Sequence, residues 1–155
     1  MSARYAAGTD VTSDRSRAEI ERTLRRYKAT AFSYGWDTDR AVVGFRVGGR
    51  MVRFTLPLPD PSAPEITRTP TGRTKSPQAR EAAYEQAVRQ SWRALALVIK
   101  AKLEAVEAGI VTFDDEFMAH LVLPGGRTVS EHFGDELVQA IEGGTLPALL
   151  PRRAQ

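Results

Sequence analysis

Thr30-Ala31-Phe32-Ser33-Tyr34-Gly35-Trp36, Asp37-Thr38-Asp39-Arg40, Ala41-Val42-Val43-Gly44-Phe45-Arg46-Val47, Gly48-Gly49 and Arg50-Met51-Val52-Arg53-Phe54-Thr55-Leu56-Pro57-Leu58 read in succession as strand, turn, strand, turn, strand. Adjacent glycines between two alternating runs are the signature of a two-residue hairpin loop, which needs positive φ at both central positions. That loop sets Val47 against Arg50, Phe45 against Val52, Val43 against Phe54 and Ala41 against Leu56. The four-residue loop Asp37 to Arg40 then sets Trp36 beside Ala41, Tyr34 beside Val43 and Phe32 beside Phe45. Apolar residues thus fall in one phase across both turns, and because side chains alternate along a strand, one sheet face is predicted to be core. The opposite face carries Ala31, Ser33, Gly35, Val42, Gly44, Arg46, Met51, Arg53 and Thr55.

Outward from the meander, the chain of 155 residues is 42% hydrophobic, enough for one globular core. Residues 1–12 lack periodicity and predict a loose tail. Ser16 with Glu19 predicts a capping box, opening an amphipathic helix over about 17–27 through Ile20, Leu24 and Tyr27. From Pro57 to Pro77 six prolines exclude regular helix or central strand and predict an extended basic loop, either a mobile finger or a passive connection. Ser76 as N-cap and Pro77 at the first position predict a helix running to Gly109, about 48 Å long at ~1.5 Å per residue. Tyr84, Val88, Trp92 (or Ser91), Leu95, Ile99, Lys102 and Val106 form its stripe. Ala87, Ala94, Ala101 and Ala105 beside it suit close approach of a second helix, from this chain or another subunit.

Further on, Thr112 and Asp115 predict a capped turn through Phe113 and Phe117, His120 to Leu123 a short strand, and Pro124-Gly125-Gly126 a turn. Thr128 with Glu131 predicts a capping box for a last amphipathic helix with Val129, Phe133, Leu137 and Ile141 on one side, ending at Gly143-Gly144. Leu146 to Leu150 predicts an apolar segment that packs down or docks on a neighbour, and 151–155 a tail. The fold expected is α+β: N-terminal helix, three-stranded antiparallel meander, long helix packed on one sheet face and a small C-terminal helical segment, forming one domain over 13–150.

Cysteine is absent, which excludes disulfides and thiolate metal sites. No charged-then-apolar leader and no stretch of ~20 apolar residues is present, so the expected setting is cytoplasmic, away from a membrane. Net charge is only +3, from 22 Lys+Arg against 19 Asp+Glu, but the cations crowd the first half and the acids Asp114, Asp115, Glu116, Glu131, Asp135, Glu136 and Glu142 the last third. Such asymmetry steers an anionic partner to one side, or else reflects two ordinary solvated surfaces. Glu116 and His120 at i, i+4 spacing, with Asp114, Asp115 and His132 nearby, are the only group that suggests a divalent metal. Acids at a helix start need no metal to explain them. No phosphate-binding loop, nucleophile elbow or HExxH pair occurs, so no cofactor and no enzyme activity is expected.

Binding chemistry is better supplied. Arg46 and Arg53 share the non-core sheet face, with Gly35 and Gly44 leaving its backbone bare, and Arg40, Arg50, Arg68, Arg73, Lys75 and Arg80 are predicted to extend the track. Guanidinium groups over a shallow surface suit a sugar-phosphate backbone. Phe32, Tyr34 and Trp36 resemble a base-stacking ladder but share the core phase, so they are expected to be core, with Trp36 at the strand end beside an open loop.

The order helix, three meandering strands, Pro/Gly-rich loop and helix resembles the double-stranded-RNA-binding domain, and Gly72-Arg73-Thr74-Lys75-Ser76-Pro77-Gln78-Ala79-Arg80-Glu81-Ala82-Ala83 echoes the basic start of its last helix. Pro77 and Gln78 stand where that family has lysines, and the helix is longer. The same order also resembles single-strand annealing proteins of phage recombination systems. The phrases Ser16 to Leu24, Arg50 to Asp60 and Trp92 to Glu104 resemble small uncharacterised phage and prophage proteins over most of 13–150. The last resemblance brings no known activity; with the basic sheet face, the resemblances lead to the expectation of a nucleic-acid-binding protein of phage or mobile-element type, DNA or RNA, and the long helix with its Ala strip to that of a homo-oligomer. The alternative is a protein-interaction module, a phage-encoded inhibitor or assembly factor docking on a host protein through its long helix or C-terminal tail.

Overall fold

The computed structural model describes residues 2–146, with side chains from residue 13 onward. In chain order the elements are α1 (Ser2–Arg26), β1 (Ala31–Trp36), β2 (Arg40–Val47), β3 (Arg50–Pro57), α2 (Pro64–Thr67), α3 (Pro77–Glu107), α4 (Phe113–Phe117), a 3-10 turn (Met118–His120) and α5 (Val129–Gly143). The sheet is an antiparallel meander of order β1-β2-β3, with the register read from the hydrophobic phase: Phe32 faces Phe45, Tyr34 Val43, Trp36 Ala41, then Val43 Phe54 and Phe45 Val52. Gly48 and Gly49, at φ 55° and 77°, supply the two left-handed residues that the β2–β3 hairpin demands.

Ala41, Val43, Phe45 and Val52 are fully buried, and Phe54 nearly so. They meet Ile20 and Leu24 of α1 and Tyr84, Val88, Trp92, Leu95, Ala96, Ile99 and Leu103 of α3 in one core. Phe117 of α4 closes the far end, its ring edge-on to Phe45 at 5.9 Å and to Phe54 at 6.3 Å. Both long helices therefore lie on the same side of the sheet. Their C-terminal ends run side by side, where Arg26 reaches Glu104 at 4.0 Å.

Helix α3 starts as expected, with Ser76 Oγ accepting from Ala79 N–H at 3.2 Å and Pro77 in the first turn, and Gly109 follows its end at φ 75°. Helix α1 differs. It begins at Ser2 rather than near 17, so the backbone is helical over 2–12 where composition predicts a loose tail, and Ser16 is no cap. No proline interrupts those residues, and Ser13, Ser16, Ile20 and Leu24 follow one helical face that is buried against the rest of the domain. Two small hydroxyl residues on that face let the α1 backbone come close. The second helix beside α3 is thus α1 of the same chain. The predicted alanine strip is used only in part: Ala87 packs against the core and Ala105 is half-buried, whereas Ala94 and Ala101 stay exposed and Ala96 is buried instead.

The Pro-rich run after β3 is not the structureless loop its composition predicts. Leu58 N–H donates to Asp39 O at 2.8 Å, α2 buries Ile66 against the core, and Arg68 bridges Thr74 across a small turn. The strand predicted over His120 to Leu123 is reduced to isolated bridges: His120 ends the 3-10 turn, Leu121 bridges Val52 on the outer edge of β3, and Val122 bridges Thr128. The capping box of Thr128 and Glu131 is present, and α5 stops at Gly144 in the left-handed region. None of the α5 residues is buried, and Ile141 is 81% exposed. The apolar segment expected over Leu146 to Leu150 and the tail 151–155 lie, beyond Leu146, outside the described residues.

The end of α1 carries a local strain. Ala29 N–H donates to Leu24 O and Lys28 N–H to Arg25 O, the two bonds of a Schellman cap, with Lys28 at φ 64° in the position that glycine usually holds. A left-handed residue with a Cβ costs about 1 kcal/mol. Lys28→Gly is expected to stabilise the fold by about 0.5–1 kcal/mol, read as a higher denaturant midpoint at unchanged slope. A lower midpoint would contradict this account of the cap.

Candidate nucleic-acid interface

Because α1 and α3 occupy one side of the sheet, the other is left open by them, and α5 reaches it at Arg53 through Glu131. Ser33, Gly35, Arg46 and Thr55 are exposed there and Ala31, Val42, Gly44, Met51 and Arg53 half-buried. The surface is flat where it is made of small residues. A Cβ on Gly44 would lie 3.2 Å from Ser33 Oγ, so bulk is excluded at that point, whereas Gly35 has open space above it.

The eight predicted cations do not form one track. Arg40 opens β2 opposite Pro57, and Arg50 opens β3 at the other end of the sheet, so the two stand about 23 Å apart at ~3.3 Å per residue. Most are also engaged. Arg50 makes a two-pronged contact with Asp114, Nε to Oδ1 at 2.7 Å and Nη2 to Oδ2 at 2.8 Å. Arg53 donates to Gly126 O at 2.7 Å and to both oxygens of Glu131, at 3.1 and 2.8 Å. Arg40 Nε reaches Asp37 at 3.3 Å, Arg68 Nη1 the Gly72 carbonyl at 3.2 Å and Lys75 Nζ the Glu65 carbonyl at 3.4 Å. Among the described residues, the side chains of Arg46, Arg73 and Arg80 make no hydrogen bond or ion pair.

The charge asymmetry of the chain is therefore met in part within the fold. Asp114 and Glu131 from the acidic third neutralise Arg50 and Arg53 from the basic half, and Glu116 Oε1 accepts from Lys102 Nζ at 3.1 Å. The Arg50 hydrogen bonds hold the Asp114 carboxyl below its usual range and raise the Arg50 guanidinium in turn. Glu131 is held low first by the Thr128 backbone N–H of its capping box and then by Arg53. The contacts span 64 and 78 residues of sequence, and no local motif announces them.

The group built on Glu116 and His120 is engaged within the fold. Glu116 serves Lys102, Asp114 serves Arg50, and the His120 ring stacks on Phe54 with centroids 4.0 Å apart. Among the described residues no three acidic or histidine side chains gather as metal ligands would. Tyr34 and Trp36, expected in the core, are each 40% exposed, whereas Phe32 is partly buried against it. Their phase is right, but β1 is the edge strand of the sheet, with no further strand beside it among the described residues. The Arg17 guanidinium lies over the Tyr34 ring at 3.9 Å and takes the place of deeper burial. No helix among the described residues is long and apolar enough to cross a membrane. No protein-family model, curated protein or solved structure matches the chain.

His120 generates a pH prediction. Burial, and then the nearby Lys102 charge, lower its pKa below the ordinary 6.5, so the folded protein favours the neutral ring. Stability from this group is complete above about pH 6.5 and declines as the pH falls toward the folded pKa, because the unfolded chain takes up the proton first. Thermal midpoints are expected to drop between about pH 6.5 and 5, before the carboxylates titrate. In His120→Gln that part of the slope should flatten; a slope identical to that of the parent protein would place its origin elsewhere.

Proposed function

We propose that the protein binds nucleic acid through the bare face of its sheet, contacting the phosphate backbone without reading base sequence. The observation that carries this reading is the open face itself, with Arg46 exposed, unpaired and set between Ala31 and Met51, and Gly44 and Ser33 next along the same face. Small side chains let a sugar-phosphate backbone approach, and an unpaired guanidinium supplies a forked donor to phosphate without first breaking an ion pair. Arg73 and Arg80, near the start of α3, are the other two cations of the predicted set without an internal partner. Arg50 and Arg53 leave the contact set and become braces for the C-terminal segment. A phage or mobile-element setting accords with the resemblance of Ser16 to Leu24 and Trp92 to Glu104 to small phage proteins.

Binding of this kind falls steeply with salt, because each neutralised phosphate releases counterions. Labelled single- and double-stranded DNA and RNA are expected to bind at low salt, and Arg46→Ala to reduce the slope of log affinity against log salt by about one. Arg50→Ala is expected to weaken folding more than binding. Failure of all four nucleic acids to bind at low salt would end this reading.

A second reading has its own observation. Leu97 and Val98 on α3, and Leu137, Val138 and Ile141 on α5, are exposed apolar side chains. They suit a protein-interaction module, and saturable capture of one host protein that persists after nuclease treatment would favour it.

A further inference from the structure

We propose that α5 of one copy of this chain docks along the exposed face of α3 of another copy, with the two helices parallel. The inference rests on the interaction-module reading only in that these apolar residues meet a protein, and it names that protein; it does not depend on nucleic-acid binding. Helix α3 gives Val88, Trp92, Leu95 and Ile99 to the core, which leaves Leu97 and Val98 outside it, 55% and 43% exposed, with exposed Ala94 and Ala101 beside them. Helix α5 likewise carries Leu137, Val138 and Ile141 in solvent. Contiguous apolar residues of this kind mark contact surfaces. Within one chain α5 packs against the 3-10 turn and the α3 stripe stays exposed.

The charges decide the occupant. From Gln86 to Leu103, α3 carries cations and no acid, whereas α5 and the residues after it to Leu146 carry acids and no lysine or arginine. Arg93 and Lys100 are exposed on α3, and Asp135 and Glu142 on α5. Among the described residues none of these four side chains makes a hydrogen bond or ion pair. Glu142 also stands in the last turn of α5, where the helix dipole disfavours an acid, so its charge gains nothing from its own helix.

The spacing and the handedness match as well. Arg93 and Lys100 share the interval of Asp135 and Glu142, about 10 Å along a helix at ~1.5 Å per residue. Turning about each axis in the direction of the chain, the cations come before the apolar stripe on α3 and the acids come after it on α5. Helices packed side by side in the same direction bring two such flanks together, as in a parallel coiled coil, and antiparallel packing would part them. With Arg93 toward Asp135 and Lys100 toward Glu142, Leu97 falls between the two charged contacts, against Leu137 and Val138. The contact joins two different surfaces, so every copy carries both halves of it.

The test uses the full chain, free of nucleic acid, in sedimentation equilibrium over a range of concentrations. Self-association that grows with concentration is expected. The double variants Arg93→Glu with Lys100→Glu, and Asp135→Lys with Glu142→Lys, should each weaken it about tenfold or more by setting like charges together. Circular dichroism and the thermal midpoint should stay close to those of the parent. An equimolar mixture of the two should recover the association, because α5 of each variant then meets an α3 of opposite charge, a recovery that damage to the fold cannot produce. A monomer at all concentrations would overturn the proposal, and capture of a host protein by that monomer would return the stripes to such a partner. Association that neither double variant weakens, or a loss that the mixture does not restore, would overturn it too. Nucleic-acid binding by the parent and by Arg46→Ala is measured separately, so either reading can fail without the other.

Discussion

Val43, Phe45, Val52 and Phe54 leave water together on one face of a three-stranded sheet, and a sheet so small cannot cover them by itself. Two helices must lie across that face, which is why α1 and α3 are both long and both turn Ile20, Leu24, Val88, Trp92 and Ile99 toward it. The same requirement leaves the reverse face bare. A third layer would need a mostly apolar face, and beside Ala31, Val42 and Met51 the chain places Ser33, Gly35, Gly44, Arg46, Arg53 and Thr55. The surface open to a partner is thus a by-product of where the core had to be.

The C-terminal third is held by a different force. Helix α5 buries no residue and meets the sheet through Glu131 on Arg53, while the segment before it does so through Phe117, the Leu121 bridge to Val52 and the contact of Asp114 with Arg50. Exposed ion pairs are individually weak, so this part of the molecule rests mainly on the Phe117 cluster, with the ion pairs setting where the loop and the α5 start lie. The cost falls on the binding face: Arg53, central among the cations there, is occupied by Glu131 and the Gly126 carbonyl. Arg46 is left as the exposed cation of that face, and any partner of it meets a sparser positive charge than the composition suggests.

Much of the fold was legible in residue patterns because it rests on local rules. Alternation and the Gly48-Gly49 turn carry the register, Ser76-Pro77 and Gly109 the limits of α3, and Thr128 with Glu131 the start of α5. Where local rules have several solutions, the patterns misled. A serine three residues before a glutamate is a cap only if the chain turns there, and Ser16 instead packs inside a helix that continues toward the N-terminus. Prolines rule out a long helix or a central strand, but not the short helix α2 that begins on Pro64, and they say nothing of the anchoring that Leu58 and Ile66 give the run after β3.

The candidate site divides in the same way. Which residues share the bare face followed from the two-residue period of a strand, so residue order was enough to stand Arg46 and Arg53 together beside Gly44. Whether each arginine is available depends on carboxylates 64 and 78 residues away, and it took the folding of the whole chain to give Asp114 to Arg50 and Glu131 to Arg53. The aromatic residues of β1 follow the same logic: their phase is written in the chain, but their burial depends on whether another strand or helix lies beyond them. Phase is a property of neighbouring residues, whereas pairing and exposure are set by what the rest of the chain brings into contact.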